Sequence, residues 1–441
     1  MKVSYISSAC VLIESEGVEI LCDPWLTDGA YYGSWCHVPP LNVKPEDFNG
    51  VDYIYISHIH PDHFDPNTLK RINKNIPVLI NTYGSKFLKM QIERLGFNVQ
   101  ELEHNKPLKL NDQSLEIKIL SADNCDPELC AKFMGCAFVE KEYKNTQIDS
   151  CCVIKDENHT LVNLNDCPWE LAESTTRLIK DTEKQIDFLL VGYLGASPYP
   201  QCFKLEPQQL EEAIAAKKEK FFTAAANYIK LLNPKYYMPF AGRYTLGGKV
   251  SHLNGRRGDP ELEEARSYLS NLEGVEGKCI ILNRNEHFDL IKESCSKEYV
   301  KGDSESNRKY IEFALSKIKF DYENDPEPSI PQILELLPDA YDRFNSMRQS
   351  IGYNSDTKII IPIEEDKNIE ISCKGEGFKV SHVKNEPYFE IDIDNKLLKR
   401  ALSGPRYAHW NNIEIGSHAL FEKKPDFYER GLYYSLCFLH K

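Results

Sequence analysis

The run Ile56-Ser57-His58-Ile59-His60-Pro61-Asp62-His63-Phe64-Asp65 puts three imidazoles and two carboxylates within eight residues. It follows an alternating, β-branched stretch over residues 51–56, which reads as a strand buried on at least one face. An extended chain sends His58 and His60 to the same side, where both can bind one metal ion. Asp62 and His63 follow as the chain turns at Pro61 and reach a second ion nearby. Imidazoles this dense repel one another when protonated, so a bound cation is the simplest reason to assemble them. A second strand, over residues 161–167, delivers Asp166 at its C-terminal end, where a carboxylate bridges two metals or caps a helix. His252, in Gly247-Gly248-Lys249-Val250-Ser251-His252-Leu253-Asn254, is a further candidate ligand.

The spacing His-x-His-x-Asp-His after an apolar strand resembles the signature of the metallo-β-lactamase fold superfamily. Four blocks in order, at residues 57–63, 164–167, 195–200 and 233–242, are similar to the metallo-β-lactamase-like region of the CMP-N-acetylneuraminate hydroxylase family. The likeness covers roughly residues 1–290. It implies an α/β fold, an αββα sandwich, with Asp23 supporting the metal loop from behind its ligands. It also implies a dinuclear-metal oxygenase hydroxylating a polar, anionic small molecule such as a nucleotide sugar. No Cys-x-His pair of the Rieske type occurs, so electrons would come from a separate protein. Two departures from the superfamily pattern stand out. Asn145, with Glu140 and Glu142 nearby, occupies the region of the third-motif histidine, and Pro239-Phe240-Ala241-Gly242 replaces the final one. Fewer imidazoles and more carboxylates shift the expected pair of ions from zinc toward iron or manganese. The rival reading is a hydrolase whose metals activate water against an ester, lactone or phosphoester. A third is a binding protein with structural ions.

Arg243, Lys249, Arg256 and Arg257 cluster in sequence around His252, where they either grip an anionic substrate or are surface charge. Lys217-Lys218-Glu219-Lys220 reads as a solvated helix face. His37, in an aromatic loop over residues 31–40, reads as structural or solvated, and His104 as surface.

Positioning these groups requires alternating strands and helices. A meander over residues 3–26 precedes the metal loop. A helix at 67–73, a strand at 78–81, a helix at 84–95 and a strand at 99–102 follow it. Strands at 148–154 and 188–191 and a long helix at 206–232 complete a domain of residues 1–290. After a polar break at 292–305, residues 300–441 read as a smaller α+β domain. There, helices are expected at 308–318, 330–350 and 395–402, and strands at 358–363, 369–373 and 388–393. The polar and aromatic stretch at 404–418 either caps the active site or packs.

The chain has 441 residues, a formal net charge of -14 and 14 cysteines. Two domains fit the length, and the acidity argues against nucleic-acid or membrane-surface partners. Cysteines without paired Cys-x-x-Cys spacing fit a reducing cytoplasm, and no signal peptide or membrane span is expected.

Overall fold

The computed structural model describes residues 1–111, 114–122 and 149–441. Asn145, Glu140 and Glu142 lie outside the described residues. Lys2–Ser7, Cys10–Ser15 and Val18–Cys22 form the expected antiparallel meander. Beside it, Tyr53–Tyr55, Val78–Asn81 and Val99–Leu102 add in parallel. Glu286–Asp289 pairs with the other edge of the meander, so an eight-stranded sheet closes on a strand more than 260 residues away in sequence. A seven-stranded sheet packs against it, running Lys278–Cys279, Tyr236–Phe240, Phe188–Gly192, Thr160–Asn163, Ser150–Lys155, Glu116–Ser121, Pro107–Lys109.

Period-2 alternation explains the layering. Val11, Ile13 and Ile20 of the first sheet meet Ile117, Ile154 and Leu190 of the second in one buried seam. The opposite faces are covered by helices: Pro66–Arg71 and Phe87–Arg94 on one side, Trp169–Thr182 and Pro207–Leu232 on the other. The result is the αββα sandwich.

Residues beyond 300 build a five-stranded sheet, Phe378–Ser381, Lys367–Ser372, Lys358–Glu364, Tyr388–Ile393, Ala419–Lys424. Helices Leu337–Ser350, Asn395–Ser403, Trp410–Ile415 and Arg430–Leu436 accompany it. The helix expected over 330–350 is two, Ile330–Leu334 and Leu337–Ser350, because Pro338 begins a new helix at its first turn. This core is not self-contained. Trp25, Tyr31, Trp35, Tyr244 and Leu246 are buried in the same cluster as Ile359, Phe389 and Trp410. Trp35 stacks on Tyr244 with ring centroids 3.3 Å apart, and its indole N–H donates to the Ile415 carbonyl at 3.3 Å.

Candidate metal centre

Tyr53–Tyr55 is flanked by parallel strands on both sides, so the chain leaves it at the C-terminal edge of the sheet. Ser57 anchors the exit. Its backbone N–H and its hydroxyl both donate to the Asp23 carboxylate at 2.7 Å. Its carbonyl accepts from the hydroxyls of Ser150, at 2.7 Å, and Tyr83. Asp23 itself sits at φ 44°, and its second oxygen lies 2.9 Å from His63 Nδ1. That bond fixes the His63 tautomer and leaves Nε2 pointing inward. Asp65, the second carboxylate of the cluster, caps the helix Pro66–Arg71 by accepting from the Asn67 and Thr68 amides, and is spent on that role.

Across from this loop, Ser150–Lys155 and Thr160–Asn163 pair antiparallel, so Asp149 before one and Asp166 after the other emerge at the same edge. His58, His60 and Asp149 offer ligand atoms within 4.8 Å of one another, and so do His58, His63 and Asp166. Asp62 stands at the margin, with one oxygen 3.5 Å from His63 Nε2 and the other accepting from Tyr31 Oη at 2.9 Å.

The donor set fits metal ions. His63 Nε2 and one Asp166 oxygen are buried without a hydrogen-bond partner, although His63 Nε2 lies 3.1 Å from the other Asp166 oxygen. His58 Nε2 and His60 Nδ1 face each other at 2.9 Å. Burial, followed by the neighbouring imidazoles, pushes His58 well below the usual histidine range. Burial and His63 bring His60 down to about 4. Both rings therefore present neutral nitrogens at neutral pH, the form that ligates. Burial opposes a proton on His63, but Asp166, Asp23 and Asp62 outweigh it and hold the ring well above the ordinary range. The same carboxylates that favour a proton on Nε2 favour a cation in its place.

His58, His60, Asp62, His63 and Asp166 are thus brought together, with Asp23 behind them. His252 is not among them. It is exposed on the 3-10 turn Gly248–Arg256, with Nδ1 3.0 Å from the Lys249 carbonyl. The strand that would lead to it ends in buried Phe240, and Ala241 and Gly242 at φ 66° and 67° turn the chain away. The expected basic cluster also disperses. Lys249 pairs with Asp394 at 2.7 Å and Glu323 at 3.7 Å, and Arg256 donates to the Phe203 carbonyl. Arg243 lies among Tyr193, Tyr5 and Glu261. His37 is buried against Trp25 and paired with Asp28, a structural position.

Sequence reading missed four contributors. Asp149 carried a faint signal, a carboxylate opening a strand. The C-terminal unit supplies the others. His418 Nε2 donates to the Tyr31 carbonyl at 2.6 Å, behind the tyrosine that holds Asp62. The Asn411 side chain acts on His60, favouring its protonated form, and Ile415 reaches the adjoining cavity. The 404–418 stretch therefore touches the site as well as packing. No helix among the described residues is long and apolar enough to cross a membrane.

A His/Asp cluster at the strand ends of an αββα sandwich defines a metallo-β-lactamase-like domain, and residues 2–133 match the family described as a beta-lactamase superfamily domain. The chain resembles that superfamily and, within it, particular relatives. It is 31% identical over 269 residues to a Mycolicibacterium smegmatis protein named as a Rieske 2Fe-2S iron–sulfur protein, covering 59% of this chain and 47% of that one. It is 26% identical over 255 residues to the cytidine monophosphate-N-acetylneuraminic acid hydroxylase of Danio rerio, covering 56% and 38%. The match thus spans less than half the length of either relative. Among solved structures, an isothiocyanate hydrolase from Delia radicum gut bacteria aligns with TM-score 0.45 and 16% identity, over 66% of this chain and 99% of that one.

Proposed function

We propose that the chain is an oxygenase that hydroxylates a small molecule at a pair of metal ions, iron in preference to zinc or manganese, with electrons delivered by a separate protein. The observation that carries this reading is the composition of the ligand cluster. His58, His60 and Asp149 would hold one ion, and Asp62, His63 and Asp166 the other, three imidazoles against three carboxylates. A set this rich in oxygen is harder than a zinc hydrolase site of imidazoles and favours iron or manganese. An iron pair, when bound, supplies the redox chemistry with dioxygen that side chains lack. The hydroxylase and iron–sulfur names of the relatives support the same direction.

The protein's own part is positioning and exclusion of water. Asp23 fixes the His63 tautomer, and Ser57 ties the loop to Asp23. Tyr31 holds Asp62 by one oxygen and leaves the other directed at the cluster. His58, Asp62 and His63 are at most 2% exposed, so the reacting groups of a bound substrate meet fixed dipoles instead of bulk water.

Metal analysis of protein purified without chelator or added metal tests the reading first. About two irons per chain are expected, with a dinuclear ferric centre by Mössbauer spectroscopy and dioxygen uptake by the reduced protein. Turnover restored by zinc alone, and undiminished without air, would replace the oxygenase with a hydrolase.

A further inference from the structure

A cavity of about 550 Å³ opens directly on the cluster, with His60, Asp149 and Asp166 at one end. Its volume is in the range that takes one small organic ligand. The helix Pro207–Leu232 forms one wall. Ala213, Ala216 and Ala224 line it at helical spacing, and the room exists because these side chains are small. Phe221 from the same helix faces the loop at Gly195, where an added Cβ would come within 2.8 Å of the ring. Tyr228, two turns beyond Phe221 on the same helix, packs edge to face on Trp169 with centroids 5.0 Å apart, and its hydroxyl is already donated to the Cys167 carbonyl at 2.8 Å. Leu194 and Ile415 add further apolar surface.

Both cations of this wall face carboxylates of the protein. Lys217 donates to the Arg257 carbonyl at 2.8 Å, lies 3.7 Å from Asp259, and has a side chain only 9% exposed. It is therefore not the solvated group expected from its charge run, and its stem extends the apolar wall. Lys220 lies 3.6 Å from Glu170, which also lines the cavity. Recognition of a nucleotide's phosphates calls for cations directed at them. Among the described residues lining this cavity, the only two cations face carboxylates of the protein itself.

We infer that the cavity binds the substrate by an apolar body, an aryl or alkyl group held against Phe221, Trp169 and Tyr228, with the reacting end at His60 and Asp166. The inference rests on the metal-centre reading of that end, but not on whether the chemistry there is oxygenation or hydrolysis.

Binding to the metal-loaded full chain tests it without turnover. The neutral fluorescent probe N-phenyl-1-naphthylamine should bind, and Ala216→Trp and Ala224→Leu should each weaken it roughly tenfold or more with metal content unchanged. Cytidine monophosphate should show no saturable binding. Ala216 is exposed on its helix, so that variant keeps the test intact if the other folds poorly. Equal probe affinity in wild type and both filled variants would overturn the inference. So would saturable cytidine monophosphate binding abolished by Lys217→Met. Zinc dependence and anaerobic cleavage would overturn the oxygenase while leaving this result standing.

Discussion

The two halves of the molecule close their cores in different ways. The sandwich seam is filled by its own alternating strands, and its metal ligands hang from strand ends that the seam holds. The C-terminal core is completed by Trp25, Tyr31, Trp35, Tyr244 and Leu246, which belong to loops of the sandwich and to the short two-stranded ribbon, Trp35–Cys36 with Thr245–Leu246, that ties them. Those loops are the ones that face the site: Tyr31 carries the bond to Asp62, and His418 holds the Tyr31 carbonyl. The ligands are thus a property of one half, and their outer support is a property of the seam between the two.

The most severe way to break this division is to end the chain at Val300. Trp25, Tyr31, Trp35 and Leu246 are at most 2% exposed, and uncovering four such side chains costs on the order of 5–10 kcal/mol. That is comparable to the whole stability of a typical domain. The fragment should be insoluble or lack a cooperative melting transition by calorimetry. A soluble, cooperatively folded, metal-binding fragment would show the sandwich to be independent.

Next in size is loss of a ligand inside the sandwich half. Asp149→Ala should remove one of two bound metals and lower activity roughly 100-fold or more, since even groups that only support a metal ligand cost 10- to 100-fold. Its melting temperature should change little, because Asp149 closes no core. Full metal content by elemental analysis would return the site to a set without Asp149.

The seam should reveal itself through pH. Burial brings His418 down to about 4, and burial together with His440 does the same for His409. In the unfolded chain both return to about 6.5. Between those values the unfolded state binds more protons, so stability is lost as pH falls from about 6.5 towards 4. Each histidine contributes on the order of 1–3 kcal/mol to that loss. Urea midpoints of wild type and His418→Phe, compared from pH 7 to 4.5, should show a shallower decline in the variant. Parallel curves would mean that His418 carries no such linkage.

The smallest effect sharpens the comparison most. Asn411 is a C-terminal residue whose side chain acts on a proposed ligand, favouring the protonated form of His60. Asn411→Ala should leave folding intact and weaken metal retention or turnover by only a few-fold, the net value of one neutral hydrogen bond. A loss as large as that of Asp149→Ala would place the C-terminal half inside the centre itself.

Much of this was legible in the chain. Alternation marked Tyr53–Tyr55 and Val78–Asn81, and apolar periodicity ending at Asn233-Pro234 marked the helix Pro207–Leu232. The spacing His-x-His-x-Asp-His identified the metal loop, because its geometry is local and two residues of extended chain suffice to point imidazoles together. What sequence could not decide was every relation set by packing between distant segments. Asp149 joins His58 only because two strands pair in one register and a second sheet stacks upon them. His252 falls outside the site because the chain turns away at Ala241 and Gly242 after buried Phe240. Lys217 lies in a wall and not in solvent because Asp259, 42 residues later, folds back over it. Periodicity records which face of an element is apolar, and tertiary structure alone decides what that face meets.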